Sequence, residues 1–200
     1  RLVLGMVGLA VRYIYRFSDS ILIQSEGFRA SVERWTSKKE RIRYFPNSAE
    51  DASPDLTKPA INVQLAEEVA ASFSVVFAGN IGKAQSCETI IEAAKLLQSV
   101  PAIKFYLVGS GSMADSVSEN IVDGRLKNVA MTGQVPAEDM SVIFASASVL
   151  LLTLRDDAAL SSTIPSKLQS YLAAGKPVIA SCNGEAASVV TKANAGLDCP

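Results

Sequence analysis

Histidine is absent from the 200-residue sequence, which removes the side chain that most often acts as a general base near neutral pH. Its absence also argues against a transition-metal site, because imidazole is a common ligand in such sites. The three cysteines, Cys87, Cys182 and Cys199, are odd in number and lack CxxC spacing. They indicate reduced thiols in a cytosolic protein and not a disulfide framework or a metal site. Chemistry would therefore depend on carboxylates, on the substrate or on groups from outside this chain.

The sequence also lacks an excess of either charge and a long apolar run. Its 19 lysines and arginines and 20 aspartates and glutamates give a net charge of −1, so nothing favours binding to nucleic acid. The apolar segment 2–11 is too short to span a bilayer and lacks the features of a cleaved signal peptide. With Arg1, Arg12 and Arg16 beside it, this segment predicts a helix packed on another part of the protein. Contact with a membrane surface is the alternative.

The chain does have a regular alternation of strand-like and helix-like segments. Strands are predicted at 20–24, 42–45, 74–78, 103–108, 129–132, 149–152 and 178–180, and helices at 26–35, 86–98, 113–122, 136–145, from Pro165 onward and at 185–192. This alternation predicts βαβ units and therefore an α/β fold with a doubly wound, Rossmann-like parallel sheet. Ligands of such sheets bind outside the carboxyl ends of the strands.

The composition divides the chain into three parts. Residues 48–60 are rich in Ala, Asp, Ser and Pro and predict a hinge or linker. Residues 61–200 are long enough for a nearly complete doubly wound domain. Residues 1–47 are too few for such a domain.

The most informative segment is 161–181, which predicts a polar loop, a helix, a tight turn and a strand. Pro165 suits the first turn of a helix, Gly175 ends that helix, and Pro177 prevents its continuation. The amide groups at the helix N-terminus carry a partial positive charge that suits a phosphate. An ordinary helix-to-strand crossover is the alternative interpretation.

The other predicted strand ends carry further candidate groups. They are Gly79, Asn80, Gly82 and Lys83, then Gly109, then Gly133 and Gln134, and finally Arg155. Glycines let the backbone approach a ligand, and lysine or arginine can bind an anion. The turn at 109–112 resembles half of a dinucleotide fingerprint, but no third glycine follows, since position 114 is Ala. Ordinary glycine-rich turns and a solvated charged loop remain the alternatives.

Taken in order, these segments resemble the nucleotide-sugar-binding, C-terminal half of a GT-B glycosyltransferase of family 4. The resemblance rests on AGNIGKAQ, ETIIEAAKLL, FYLVGSGS, VAMTGQVP and TLRDDAALSSTIPSKLQSYLAAGKPVIAS. YRFSDSILIQSEGF and RIRYFPNS are similar to the end of the partner N-terminal domain and to the Pro-Asn hinge. The resemblance implies that residues 1–47 are the remnant of the N-terminal domain and that residues 61–200 lack the C-terminal return helix of this fold. The chain therefore resembles a fragment, which by itself is expected to be inactive.

The resemblance implies donor binding by this domain, with Lys83 at the diphosphate, Gly133 and Gln134 at the base, and residues 162–166 around the phosphates. The implied nucleotide- and diphosphate-binding residues are Gly79, Asn80, Gly82, Lys83, Gly109, Gly133, Gln134, Arg155, Ser162, Thr163, Ile164, Pro165, Ser166, Lys167 and Ser170. Transfer in this family retains the anomeric configuration and needs no bound metal or cofactor other than the donor itself. The resemblance assigns no catalytic residue here.

One departure concerns two glutamates, eight residues apart, that the broad family carries in this segment. Ser162 and Ser170 stand at those positions. The pattern RDD…TIPSKLQSYLAAGKP is instead similar to a bacterial subgroup that transfers N-acetylated amino sugars, such as N-acetyl-L-fucosamine, during O-antigen or capsule assembly. In that subgroup Gln169 and Arg155 are the candidate replacements for the two glutamates. Asp156 and Asp157 are the candidate contacts to the sugar.

The resemblance as a whole implies a retaining enzyme that moves a sugar from a UDP-sugar to a lipid-linked acceptor in bacterial surface polysaccharide synthesis. Its expected location is cytoplasmic, at the inner face of the membrane, with no nucleic-acid partner and no expectation about oligomeric state. Two alternatives stay open. A GT-B UDP-N-acetylhexosamine epimerase would share the domain but use carboxylates and histidines in the cleft, and a non-catalytic module would bind UDP without turnover.

Overall fold

The computed structural model of the protein describes residues 2–49 and 63–199, so most of the predicted linker lies outside the described residues. Residues 2–49 contain α1 (Leu2–Phe17), β1 (Ile21–Ile23), α2 (Arg29–Glu33) and β2 (Ile42–Tyr44). The two strands pair in parallel, with Ile21 opposite Ile42, and their isoleucines form a small core. The helix predicted at 26–35 is shorter than expected, because a single 3-10 turn at Glu26–Phe28 precedes α2.

Helix α1 packs on the rest of the described chain along one face only. Gly8 is buried against the indole of Trp35, and the guanidinium of Arg12 lies 5.4 Å from the centroid of the same ring. The large apolar side chains on its other faces are exposed, among them Val3 at 72% and Leu9 at 67%. The predicted helix is therefore present and six residues longer than the apolar run, and the expected packing is partial.

The second part of the chain forms a six-stranded parallel sheet with helices on both faces. Its elements are α3 (Val63–Ala70), β3 (Phe73–Ala78), α4 (Cys87–Leu96), β4 (Ile103–Val108), α5 (Ala114–Asp123), β5 (Val129–Gly133), α6 (Ala137–Ser146), β6 (Val149–Thr153), α7 (Ala158–Ser161), α8 (Ser166–Ala173), β7 (Val178–Ser181), α9 (Glu185–Lys192) and β8 (Gly196–Asp198). The strand order is β5-β4-β3-β6-β7-β8. The predicted doubly wound α/β class is confirmed, whereas α3, α7 and β8 were not predicted.

Alternating side chains of the central strands fill two separate cores. On one face of the sheet Val76, Ala78 and Leu150 pack with residues of α6, α8 and α9. On the other face Val75 and Phe77 pack with residues of α4 and α5. Strands buried on both faces are expected in a parallel sheet covered by helices, which is why these segments read as continuous apolar runs.

The strand order reverses between β3 and β6, and the two strands pair over a short length. Their register joins Val75 to Val149 and Val76 to Leu150, whereas β3 and β4 pair at six positions from Phe73 to Ala78. The strands therefore separate towards their carboxyl ends. A crevice at such a switch point is where open parallel sheets bind ligands.

Candidate functional site

A cavity of about 1000 Å³ lies beside this crevice, between the carboxyl ends of β3 and β4 and the N-terminus of α8. Its described lining residues are Ser48, Ala49, Ala78, Gly79, Asn80, Gln85, Val108, Gly109, Ser110, Gly111, Gln134, Val135, Ala137, Met140, Ser141, Phe144, Pro165, Ser166, Lys167 and Ser170. The size suits a small-molecule ligand.

The floor of the cavity is formed by two backbone turns in close contact. Gly79 N–H, just after β3, donates to the carbonyl oxygen of Val108 at 2.8 Å. A Cβ at Gly109 would lie 1.9 Å from the carbonyl oxygen of Gly79, so no larger residue fits between the turns. Gly79 and Gly109 also have φ angles of +124° and +141°, which L side chains rarely adopt. Both glycines are therefore required by the local backbone.

Lys167 lies in the first turn of α8 and brings a cation to this floor. Its Nζ donates to Oε1 of Gln85 at 3.0 Å and lies 3.9 Å from the ring centroid of Phe77. A Cβ at Gly79 would lie 3.2 Å from the same nitrogen. Burial lowers the pKa of Lys167 to about 8, an effect that the nearby thiol of Cys87 opposes. A bound anion would offset this desolvation by stabilising the charged form of the amine.

The charge of the lining is one-sided. Among the described residues that line the cavity, Lys167 is the single charged side chain, and none carries a carboxylate. The first amide N–H groups of α8 have no partner within the helix and add a partial positive charge. The floor of the cavity therefore favours a phosphate or another anion.

Another wall of the cavity is largely apolar and comes from the loop after β5 and from α6. Val135, Met140 and Phe144 give it apolar surface, while Gln134 and Ser141 add polar side chains. An apolar wall with a few polar groups is the environment that binds planar heterocycles in proteins. The cavity thus combines an anion-binding floor with a wall suited to a nucleobase.

The structure brings eight of the fifteen predicted binding residues into the lining. They are Gly79, Asn80, Gly109, Gln134, Pro165, Ser166, Lys167 and Ser170. Pro165 caps α8, one residue before the helix begins, and Gly175 follows it with a φ of +67°. The predicted loop–helix–turn order of this segment is confirmed.

The other seven lie outside the lining. Lys83 and Arg155 are exposed, and Gly133, at the end of β5, bonds through its carbonyl to Gly109 N–H. The hydroxyls of Ser162 and Thr163 donate to carbonyl oxygens of α7. The remaining two are Gly82, which is buried, and Ile164, which packs on the core.

The further candidates around the sugar also have local partners. Asp157 caps α7 by accepting from Ala159 N–H and Leu160 N–H, and Asp156 accepts from the amide of Asn183 at 3.1 Å. Gln169 lies on its own helix, where its amide nitrogen, once oriented to donate, reaches the carbonyl oxygens of Pro165 and Ser166.

Sequence reasoning missed Gln85, which contacts the cation of the site. Gln85 lies two residues after Lys83 in the same turn, but nothing in the sequence predicts that this neutral side chain contacts a lysine. It also missed the apolar wall, because Met140 and Phe144 read as the buried face of an ordinary amphipathic helix.

The described residues contain neither a cluster of metal ligands nor a membrane-spanning helix. No group of three or more cysteine, aspartate or glutamate side chains is arranged to hold a metal ion in residues 2–49 and 63–199. Within the same ranges, no helix has the length and apolar character needed to cross a bilayer.

A family model described as "Glycosyl transferases group 1" matches residues 72–200, which contain the whole sheet. The chain belongs to this family. The chain is also similar to the Probable glycosyltransferase WbjE of Pseudomonas aeruginosa, with 28% identity over 171 residues, covering 84% of this chain and 39% of that protein.

Solved structures show the same fold for this group 1 glycosyltransferase chain. Anabaena HepE in complex with UDP superposes with a TM-score of 0.75 at 20% identity, covering 95% of this chain and 52% of HepE. WaaG, a glycosyltransferase involved in lipopolysaccharide biosynthesis, gives 0.69 at 17% identity, covering 88% of this chain and 48% of WaaG. The expected fold, the Rossmann-like half of the GT-B kind, is confirmed. The chain spans about half the length of these proteins, or less in the case of WbjE.

Proposed function

We propose that this chain supplies the donor-binding domain of a retaining glycosyltransferase, and that UDP occupies the cavity. The observation that carries the proposal is the placement of Lys167 and the N-terminus of α8 on one side of the crevice and an apolar wall on the other. A nucleoside diphosphate has matching parts, an anionic diphosphate and a planar base. HepE, a relative of the same fold, has been solved with UDP and with UDP-glucose.

In this arrangement the diphosphate lies over the turn at Gly79, within reach of Lys167 and of the amide groups of α8. These groups stabilise the negative charge that develops on the diphosphate as the sugar leaves. We propose that this stabilisation serves transfer without a bound metal or a further cofactor. The Lys83 contact implied by the resemblance would require that exposed side chain to turn towards the cavity.

We further propose that the donor carries an N-acetylated amino sugar and that the acceptor is lipid-linked, as in bacterial surface polysaccharide synthesis. The support is the motif resemblance in 155–177 and the involvement of WaaG, a protein of similar fold, in lipopolysaccharide biosynthesis. The exposed apolar face of α1, with Arg12 and Arg16 at its edge, supports peripheral contact with an anionic membrane. Sedimentation with phosphatidylglycerol vesicles tests that contact, and equal recovery with neutral vesicles would contradict it.

The deciding experiment is calorimetric titration of the 200-residue chain with UDP, GDP, ADP and NAD. Selective binding of UDP is expected, and tighter binding of UDP-N-acetylglucosamine than of UDP-glucose would support the amino sugar. Preference for GDP or ADP would retain a transferase but change its donor. Preference for NAD, or no binding to any of the four at millimolar concentration, would contradict the proposal.

A further inference from the structure

The separation of β3 and β6 leaves one residue of β3 without a strand partner on one side. Gly79 N–H bonds to β4, so the backbone groups of the preceding residue, Ala78, point away from β4 towards β6. The register between β3 and β6 ends at Val76, two residues earlier. Both polar groups of Ala78 therefore need another partner in the core, because unpaired buried backbone groups are rare in folded proteins.

The hydroxyl of Tyr171, on α8, provides that partner. It accepts a hydrogen bond from Ala78 N–H at 2.8 Å and donates to the carbonyl oxygen of Ala78 at 3.3 Å. Tyr171 is fully buried, and burial raises the pKa of its phenol well above the ordinary value. The hydroxyl therefore keeps its proton and serves as donor and acceptor at once.

Tyr171 also connects the other walls of the cavity. Its ring meets that of Phe144 edge-on, with centroids 5.3 Å apart, and Phe144 belongs to the apolar wall. On α8 it follows Ser170 directly and lies four residues after Lys167, on the same side of the helix. The side chain of Tyr171 thus contacts the backbone before the Gly79 turn and the ring of Phe144 in the apolar wall. It lies one helical turn after Lys167.

We propose that Tyr171 is a positioning residue for the diphosphate. By replacing β6 as the partner of Ala78, its hydroxyl fixes the turn at Gly79 relative to Lys167 while the crevice stays open. The inference rests on the proposed function, since it requires a diphosphate between Gly79 and Lys167. It assigns no contact between Tyr171 and the ligand itself.

The test compares Tyr171→Phe with Tyr106→Phe in the 200-residue chain. Tyr106 is a matched control, because it is buried in the same core and its hydroxyl donates to the backbone carbonyl of Glu68 at a distance of 2.9 Å. Neither of these two residues lines the cavity. We expect Tyr171→Phe to weaken UDP binding about fivefold to twentyfold, as for a lost buried hydrogen bond. Binding of uridine, which lacks the diphosphate, should change less than about twofold, and Tyr106→Phe should leave both affinities unchanged.

A purely structural role would give a different result. Equal loss of UDP and uridine affinity in Tyr171→Phe, or equal effects of the two variants, would overturn the proposal. Amide hydrogen exchange of Ala78 provides a readout without ligand, and Tyr171→Phe should accelerate it selectively. If the wild-type chain binds no UDP, the proposed function fails by itself. Unchanged protection of Ala78 would then refute the hydrogen-bonding role of Tyr171 independently.

Discussion

The Nζ of Lys167 donates to Oε1 of Gln85 at 3.0 Å and so joins the first turn of α8 to the turn that follows β3. The two residues are 82 positions apart in the sequence. Their contact places a single cation over the floor of the crevice, with a neutral partner that cannot cancel its charge. An ion pair there would compete with a diphosphate, whereas an amide leaves the cation available to it.

Lys167→Met is expected to weaken UDP binding by roughly 1.5–3 kcal/mol, because a charged hydrogen bond to the diphosphate is lost. Methionine keeps the length of the aliphatic stem, so the fold should persist. Lys83→Met is the matched control, since Lys83 is exposed and outside the lining. Calorimetry with UDP measures both. A larger loss of UDP affinity in Lys83→Met than in Lys167→Met would show that Lys83 contacts the diphosphate, as the sequence resemblance implies.

The elements of the sheet were predictable because their signals are local. Buried parallel strands such as Val149–Thr153 read as short apolar runs, and Gly175 followed by Pro177 marks the end of α8 without any tertiary information. Short elements that depend on their neighbours were missed. The three residues of β8 form a strand because β7 lies beside them, and α7 is held by the Asp157 cap.

The site was predictable by region but not by side chain. Strand ends and a helix N-terminus follow from the order of segments, so Gly79, Gly109 and Ser166, which line the cavity, could be named from the sequence. Which lysine reaches the crevice depends on helix rotation and on the course of a turn. The resemblance therefore favours Lys83 for the diphosphate, whereas in the structure Lys83 is exposed and Lys167 lines the cavity.

UDP affinity should fall as the pH rises through about 8, the pKa to which burial lowers Lys167. Below that pH the amine is charged in the free protein, and above it UDP must bind together with a proton. A bound diphosphate favours the charged form, so the loss can reach about tenfold per pH unit until the pKa of the complex is passed. The diphosphate of UDP changes its charge little in this range, because a phosphate with a second pKa of about 6 is already about nine-tenths ionised at pH 7.

Calorimetry at about pH 7 and about pH 9 measures this effect, and Lys167→Met provides the control without a titrating amine. Uridine reports any contribution from the base. An identical pH dependence in the wild type and in Lys167→Met would mean that another group titrates.

Gly109→Ala is expected to destabilise the fold by about 3 kcal/mol or more, because its Cβ would overlap the carbonyl oxygen of Gly79. The backbone of Gly79 is held by its hydrogen bond to Val108 and cannot move without losing it. Gly133→Ala is the control. Its φ of +71° is strained for alanine but nothing lies within 4 Å, so a cost of about 1 kcal/mol is expected. Urea unfolding measures both, and equal free energies of unfolding would show that the two turns are not held in contact.

The docking of α1 can be tested at Gly8, where a Cβ would lie 2.6 Å from the ring of Trp35. Gly8→Ala must displace that ring and weaken the Arg12 contact on it, so a change in tryptophan fluorescence is expected. Trp35 is the only tryptophan in the sequence, so tryptophan emission reports the surroundings of this ring.

Gly5→Ala is the matched substitution on the same helix, because nothing lies within 4 Å of a Cβ there. Both variants gain up to about 1 kcal/mol of helix propensity, but only Gly8→Ala has to offset it against a displaced ring. We therefore expect Gly5→Ala to leave the emission of Trp35 unchanged and to increase helicity. Identical spectra for the two variants would place α1 away from Trp35, and the helix would then be free to present all of its apolar side chains to another surface.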